Sequence, residues 1–352
     1  LSIAAGPRVS GSVTGVDVEA SLLQELEIGG QRGARMRAAE QQSAATEAEI
    51  QAARFLVHSE LRSAFYRAIV ERERVQLAQR VVQFQREVLR SLERQVAAGD
   101  VGALGLRLGQ AEVAQATQEL IAQEQAALAA RLRIAQVVGW SSPQPPEPDG
   151  ALPPLREPPD VSQLTAAARE QPNLRAAEAR VREARARVDV AERDAWPRPA
   201  VGVAYRREGD RAVEGNYDIF MGAVSVPLPL FQTNQGARAR ARAEASIADT
   251  ELAVQRDRLG ARIAEAHGEL TAAARRAAAY GAEIVPRFEE NLSMLRRAFE
   301  LGEIDILALS AGRERFLRIE SAALTARLEY VSALGTLERV VGRDLTPSEA
   351  KP

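Results

Sequence analysis

The chain has no cysteine among its 352 residues, which removes disulfides, thiolate metal sites and cysteine nucleophiles from consideration. Histidine is almost as scarce, with His58 and His267 alone, and Met36, Met221 and Met294 are too scattered for a thioether site. Aromatic residues make up 4%, so a thick globular core is not expected. No run of about 18 apolar residues exists, and no transmembrane helix is predicted. A dominant charge is missing too: 46 basic against 48 acidic side chains leave a formal net charge of -2, which gives no electrostatic footprint for nucleic acid. Catalytic signatures are also absent. There is no Ser/His/Asp order, no glycine-rich phosphate loop between strand and helix, and no carboxylate pair in an apolar pocket pattern. The two histidines have only Glu60, Glu265 or Glu269 beside them on their own helices, so both read as exposed helix residues rather than metal ligands. No enzyme, cofactor or resident metal is expected.

What the sequence does have is repetition. A shift of 203 residues (236 minus 33) places Gly33 on Gly236, Gly99 on Gly302 and Gly139 on Gly342 without a gap. The flanking residues match as well, Gly33-Ala-Arg-Met-Arg against Gly236-Ala-Arg-Ala-Arg and Gly99-Asp-Val against Gly302-Glu-Ile. An internal duplication therefore organises the chain. Leu1 aligns with Ala204 under this shift, so 44 residues of the second copy, 160–203, have no partner. The expectation is that an N-terminal part, with any targeting signal, is missing from this sequence.

Period-two alternation over Val9, Gly11 and Val13, then Val16, Val18, Ala20 and Leu22, predicts a β-hairpin. Its counterpart is Val201, Val203 and Tyr205, a polar turn over 208–215, then Phe220, Gly222, Val224 and Val226. A long helix is predicted from about Gly33 to Val96, with Leu77, Val81, Phe84, Val88, Leu92 and Val96 three or four apart. Its copy runs from Gly236 to Gly302, where Ile263, Ala266, Leu270, Ala273, Ala277, Tyr280 and Ile284 alternate three and four as coiled-coil packing requires. Pro286 should kink or loosen that copy alone, since Gln83 stands in the first. A turn and a returning helix follow each time, Leu104–Val138 and Leu307–Val341, with glycine just past the last periodic residue. Eight prolines within residues 140–159 predict an extended connector. One further helix, Val161–Ala195, should precede the second hairpin and stack end to end with the first return helix to match a long helix, giving a rod of helices with a small sheet at one end.

Four strands cannot close a barrel, and open edges facing lipid would leave backbone groups unpaired. Oligomerisation is expected, with two chains giving eight strands and three giving twelve. The junctions Ser225-Val-Pro-Leu-Pro-Leu-Phe-Gln-Thr-Asn-Gln-Gly236 and Glu27-Ile-Gly-Gly-Gln-Arg-Gly-Ala-Arg35 resemble the two strand-to-helix junctions of TolC-like outer-membrane efflux proteins, the heavy-metal (CzcC-type) branch in particular. The resemblance implies a mainly α fold with a small β part, assembled as a homotrimeric α-helical barrel plus a 12-stranded β-barrel. It implies location in the outer membrane of a Gram-negative bacterium, in contact with its lipid and extending into the periplasm. A periplasmic adaptor protein and an inner-membrane efflux pump are implied as partners. The implied role is a passive channel for metal cations or other small toxic solutes. Acidic residues that ring the closed tip in the best-known relatives have Ala308 and Ala311 in their places.

The expected division is a first repeat over 1–139, the proline-rich connector over 140–160, a second repeat over 161–342 and a tail over 343–352. Gly99, Val101 and Leu104 on one turn and Gly302, Ile304 and Leu307 on the other are candidates for adaptor docking, since apolar groups at a charged tip have little else to bury against. Glu303 and Asp305 are the candidate acidic groups at the lumen mouth. The same six residues could instead form only a helix-hairpin cap. The alternative functional classes are a periplasmic adaptor, which would show one hairpin and a lipoyl-like flank, and a structural coiled coil, which would not need the alternating strands.

Overall fold

A computed structural model of the protein describes residues 2–10, 13–99, 102–210, 215–228 and 230–345. Two strands, β1 (Ser2–Ser10) and β2 (Val13–Glu25), lead into α1 (Gln31–Ala98), a single helix of 68 residues, about 100 Å at 1.5 Å per residue. The chain returns along α2 (Ala103–Val138), crosses the connector, and forms α3 (Val161–Ala168) and α4 (Pro172–Arg193). The second half repeats the order with β3 (Ala200–Asp210), β4 (Gly215–Ser225), α5 (Gln235–Ala279), α6 (Val285–Glu300) and α7 (Ile306–Val341). Both return helices are 36 residues long and start 203 apart (306 minus 103). Gly139 and Gly342 cap them in the left-handed region, each N–H turning back to the last carbonyls.

One feature departs from the helical pattern expected of the sequence, and a second, at Pro286, follows it. The stretch expected as one helix over Val161–Ala195 is two helices, broken at residues 169–171. Pro172 opens the second helix, and its ring disfavours helical geometry in the residue before it. In the second long helix a π-turn over Tyr280–Ile284 separates α5 from α6, with Pro286 in the first turn of α6. Proline has no N–H to return to the preceding turn, and the wider turn accommodates that loss. The first copy, with Gln83, runs through unbroken. The hairpin turns at 11–12 and 211–214, Gly11 among them, lie outside the described residues.

The chain divides into two compact units. One comprises 1–49 and 174–255 and holds the sheet, whose strand order is β1-β2-β3-β4, all antiparallel. Here Leu174 and Val181 of α4 pack on Leu252 of α5. The other comprises 50–173 and 256–352. Its core is the expected stripe, Ile263, Ala266, Leu270, Ala273 and Ala277, against Ile69 and Val70 of α1, Leu164 of α3 and Tyr330 and Leu337 of α7. Leu164 is wholly buried, a contribution of about 1.5–3 kcal/mol. The connector, with no ladder of its own, is held by side chains. Arg72 donates to the carbonyls of Pro148 (2.6 Å) and Gly150 (3.0 Å), Arg131 donates to Pro145 (2.7 Å), and Tyr330 Oη accepts from the Arg156 N–H (3.0 Å).

Candidate functional site

Side chains alternate along a strand, so the register decides which of them share a face. Ile3 lies opposite Ala20, Ala20 opposite Tyr205, and Tyr205 opposite Phe220. Val18 and Leu22 of β2, Val201 and Val203 of β3 and Val224 of β4 fall on that same face, and Arg207 and Asp218, 3.9 Å apart, join it only toward the far end of β3 and β4. It stands open to solvent, with Ile3 71% exposed, Val203 64%, Phe220 80% and Val224 76%. The opposite face carries charge. Arg206 pairs with Glu19 at 2.9 Å, and the hydroxyls of Ser2 and Ser21 meet at 2.7 Å. Asp17 faces Glu208 there, while Leu23 of β2 and Ile219 and Met221 of β4 are its large apolar members.

An open apolar patch of this extent is unfavourable in water. The strands are 9, 13, 11 and 11 residues long, and a tilted membrane-spanning strand takes about 9–11. Both β1 and β4 are hydrogen-bonded on one side only. No described helix is long and apolar enough to cross a membrane. The sheet is therefore the element suited to lipid, one face outward and one toward water.

Where strand gives way to helix, the backbone is fixed by a glutamine. Gly30 takes φ +76°, and the next residue, Gln31, accepts the Gly29 N–H at 2.9 Å while its amide donates to the Trp196 carbonyl at 3.3 Å. Gln31 is 1% exposed. Gly29 is required by closeness: a Cβ there would lie 2.5 Å from the Trp196 Cβ. Arg37 pairs with Asp189 of α4 at 2.5 Å, and Arg35 pairs with Glu27 and, at 3.8 Å, with Asp194. The hydrogen bond from Arg37 holds the Asp189 carboxyl below its ordinary range, with Arg193 adding to the effect against the opposing cost of burial.

At the hairpin turns, Gly99 (φ +86°) and Gly302 (φ +75°) end α1 and α6. The second turn is a complete Schellman motif, with the Gly302 N–H to the Phe299 carbonyl at 3.0 Å and the Glu303 N–H to the Ala298 carbonyl at 2.9 Å. Asp305 is the N-cap of α7, its carboxylate accepting the Ala308 N–H at 2.8 Å. Ile304 is half-buried beside Val88, Leu92, Phe299 and Leu309. Leu104 is 72% exposed, and Glu303 is exposed. Val101 and the side chain of Leu307 lie outside the described residues. The structure thus brings Ile304 onto an apolar cluster and leaves Leu104 free.

Next to that cluster is an arrangement the sequence did not announce. The guanidiniums of Arg296 and Arg313 each stand 5.8 Å from the Phe84 ring. Burial lowers the pKa of Arg313, against the pull of Glu112. Glu112 itself accepts from the Gln85 amide at 3.0 Å. A cavity of about 810 Å³ opens beside Phe84, Glu87, Arg94, Arg296 and Phe299. Phe84 was visible as a member of a helical stripe, but nothing in the sequence ties it to residues more than 200 positions away. His58 is likewise paired with Asp344 at 3.2 Å rather than with a neighbour on its own helix. Among the described residues no three His, Asp or Glu side chains come together to hold a metal ion.

Comparison with known proteins agrees with this geometry. The outer membrane efflux protein family matches residues 7–140 and 164–343. The cobalt-zinc-cadmium resistance protein CzcC of Cupriavidus metallidurans is 26% identical over 326 residues, which cover 90% of this chain and 75% of that one. A membrane protein from Pseudomonas aeruginosa superimposes with a TM-score of 0.77 at 19% identity, over 97% of this chain and 80% of the other. The MtrE outer membrane channel of Neisseria gonorrhoeae, solved in its open state, gives a TM-score of 0.73 at 18% identity over 98% and 80%. The chain belongs to the outer membrane efflux protein family and is an efflux channel subunit of the outer membrane.

Proposed function

We propose that three copies of this chain close their sheets into one 12-stranded barrel in the outer membrane, with their helices forming a helical barrel on the periplasmic side. The observation that carries this reading is the four-stranded sheet with one face apolar except for the Arg207–Asp218 pair at its far end, one face carrying charge, and two unpaired edges. In hydrocarbon each unpaired backbone group costs several kcal/mol, so edges must be closed by other copies. The protein performs no bond chemistry. It conducts solute that a pump in the inner membrane and an adaptor in the periplasm deliver to it. The likeness to a cobalt-zinc-cadmium resistance protein supports divalent metal cations as cargo, with selectivity in the pump rather than here.

The functional division follows the duplication, repeats over 1–139 and 161–342 joined by the connector 140–160, with 343–352 as a tail. Gly99, Val101, Leu104, Gly302, Ile304 and Leu307 meet the adaptor, and Glu303 and Asp305 place negative charge at the lumen mouth. Support comes from the exposure of Leu104 and from the two capped turns. Since Asp305 already caps α7, Glu303 is the freer of the two acids. The test is growth of a deletion host on zinc, cobalt and cadmium when complemented by the full-length gene or by Leu104→Asp/Leu307→Asp. The double variant should keep trimer yield in the outer membrane and lose both metal tolerance and adaptor crosslinking. Full tolerance in the double variant would move the docking site elsewhere, and tolerance unaffected by deletion of the gene would reject metal cargo.

A further inference from the structure

The apolar face of β3 and β4 is shorter than the strands that carry it. It runs from the Tyr205–Phe220 pair, whose rings are 5.0 Å apart, to the last rung at Ala200 and Ser225. On the far side of that pair stand Arg207 and Asp218. Five residue steps (225 minus 220) cover about 17 Å of strand, which is about 13 Å of membrane at a tilt of about 40°. The apolar band of a membrane barrel is about 25 Å tall.

The missing height lies past the last rung, in segments that are neither strand nor helix. Leu26 and Val226 are the first residues beyond it on β2 and β4, and the Leu26 N–H still donates to the Pro199 carbonyl at 2.7 Å. Exposure does not fall there: Ile28 is 65% exposed, Leu228 70% and Phe231 88%. Val226 and Leu228 each precede a proline, which favours extended backbone. The apolar run from Phe220 to Leu228 then reaches about 20 Å at the same tilt. Irregular backbone is costly beside lipid because its N–H groups lack partners, but these segments have few to satisfy. Pro227 and Pro229 carry none, the Leu230 N–H donates to the Leu228 carbonyl at 2.9 Å, and the Ile28 N–H donates to the Leu26 carbonyl at 3.2 Å. Glu27, between Leu26 and Ile28, is taken up by Arg35. Positive charge comes next along the chain. Arg32, in the first turn of α1, is exposed and makes no ion pair among the described residues. Arg240, in the second turn of α5, has a side chain 82% exposed that pairs with Glu244 of its own helix.

We propose that the inner boundary of the membrane lies at the starts of α1 and α5 rather than at the end of the sheet, with Leu26, Ile28, Leu228 and Phe231 immersed in the inner phospholipid leaflet and Arg32 and Arg240 on the lipid phosphates. Continuity with the lipid face of the sheet identifies the apolar occupant. Exposed guanidiniums just past it match an anionic headgroup. The inference rests on the sheet being the membrane-spanning element, as proposed above.

These 352 residues contain no cysteine, so Val224→Cys, Leu228→Cys and Phe231→Cys variants of the full-length protein can each carry a single fluorophore. In vesicles of phosphatidylethanolamine and phosphatidylglycerol, lipids with nitroxides on the headgroup or high on the acyl chain should quench the labels at 228 and 231, and aqueous iodide should quench them at least twofold less than it quenches free dye. The label at 224 is the control for the sheet itself and should be quenched from the acyl chains. Lipid quenching at 224 with iodide quenching alone at 228 and 231 overturns the inference and leaves the barrel standing. Protection of 228 and 231 from both quenchers also overturns it, since a second copy then covers them. No lipid quenching at 224 overturns the barrel reading as well. Arg32→Gln with Arg240→Gln should reduce headgroup quenching at 228 about twofold, and the corresponding lysine pair should keep it; unchanged quenching in the glutamine pair overturns the phosphate contact.

Discussion

Val203 and Ala204 are neighbours in β3, and the assembly gives them opposite surroundings. Val203 lies between Leu22 and Gly222 on the apolar face and is 64% exposed in the single chain. Ala204 lies between Ser21 and Met221 on the face that carries Glu19 and Arg206. Both sit near the middle of the block in which β3 pairs with β2, residues 200–208. With lipid on the apolar face, Val203→Arg puts a guanidinium into hydrocarbon at a cost of about 2–4 kcal/mol per chain. Three well-separated copies add, giving about 6–12 kcal/mol per trimer. Ala204→Arg places the same group toward water beside Glu19, where an ion pair is worth about 0–1 kcal/mol. Denaturant unfolding from lipid vesicles and heat dissociation of the trimer both read the difference. Even 2 kcal/mol per chain is about thirtyfold in the equilibrium constant. Equal destabilisation by the two variants, or a larger effect at 204, would put lipid on the wrong face and refute the argument from register.

Three further outcomes are expected. Gly29→Ala should destabilise the junction by about 1–3 kcal/mol through overpacking, because its new Cβ would stand 2.5 Å from Trp196 Cβ; an unchanged thermal melt would show that Trp196 yields freely. Asp305→Ala should cost about 0.5–2 kcal/mol and speed amide exchange in the first turn of α7, whereas Asp305→Asn should keep most of the cap; equal exchange in all three proteins would remove the capping role. The Asp189 carboxyl is held below its ordinary value of 3.8 by the hydrogen bond from Arg37. Its stabilisation is therefore complete above the unfolded value and fades as pH falls toward the lower folded one. Melting temperatures of wild type and Asp189→Asn should differ at pH 6 and converge on acidification below about 4, and a gap that stays constant down to pH 2 would count against this pair.

Much of the architecture was legible because its signals are local. Glycine after the last periodic residue ended the return helices at Val138 and Val341, and a left-handed residue at 139 and 342 is what stops a helix there. The three-four alternation from Ile263 to Ala277 named a stripe that is at most 3% exposed, because the helical period is fixed by backbone geometry. The alternation of Val201 to Val226 marked strands for the same reason. Pro172 was a local signal as well, and it outweighs the helical propensity of its neighbours by acting on the residue before it. What stayed hidden depends on partners distant in sequence. Asp344 for His58, Arg313 for Phe84 and Trp196 for Gln31 are set by packing, and no periodicity within one element encodes them.

The junction glutamines make that limit concrete. An ungapped shift of 203 aligns Gly33 with Gly236, yet Gln31 and Gln235 are 204 apart, because the first copy carries Arg32 between its glutamine and the Gly-Ala-Arg run. Their equivalence lies in conformation, a left-handed residue followed by a glutamine that accepts the N–H two residues back. Glycine at 30 and asparagine at 234 share no identity, but asparagine is one of the few other residues that enter the left-handed region at small cost. Alignment on glycine identity therefore pairs the helices correctly and separates the two locks by one residue. Only the backbone angles reveal that the same lock is built twice, and the end of α4 meets both, through Asp189 and Asp194 at the first and through the Ala191 carbonyl and Glu192 at the second.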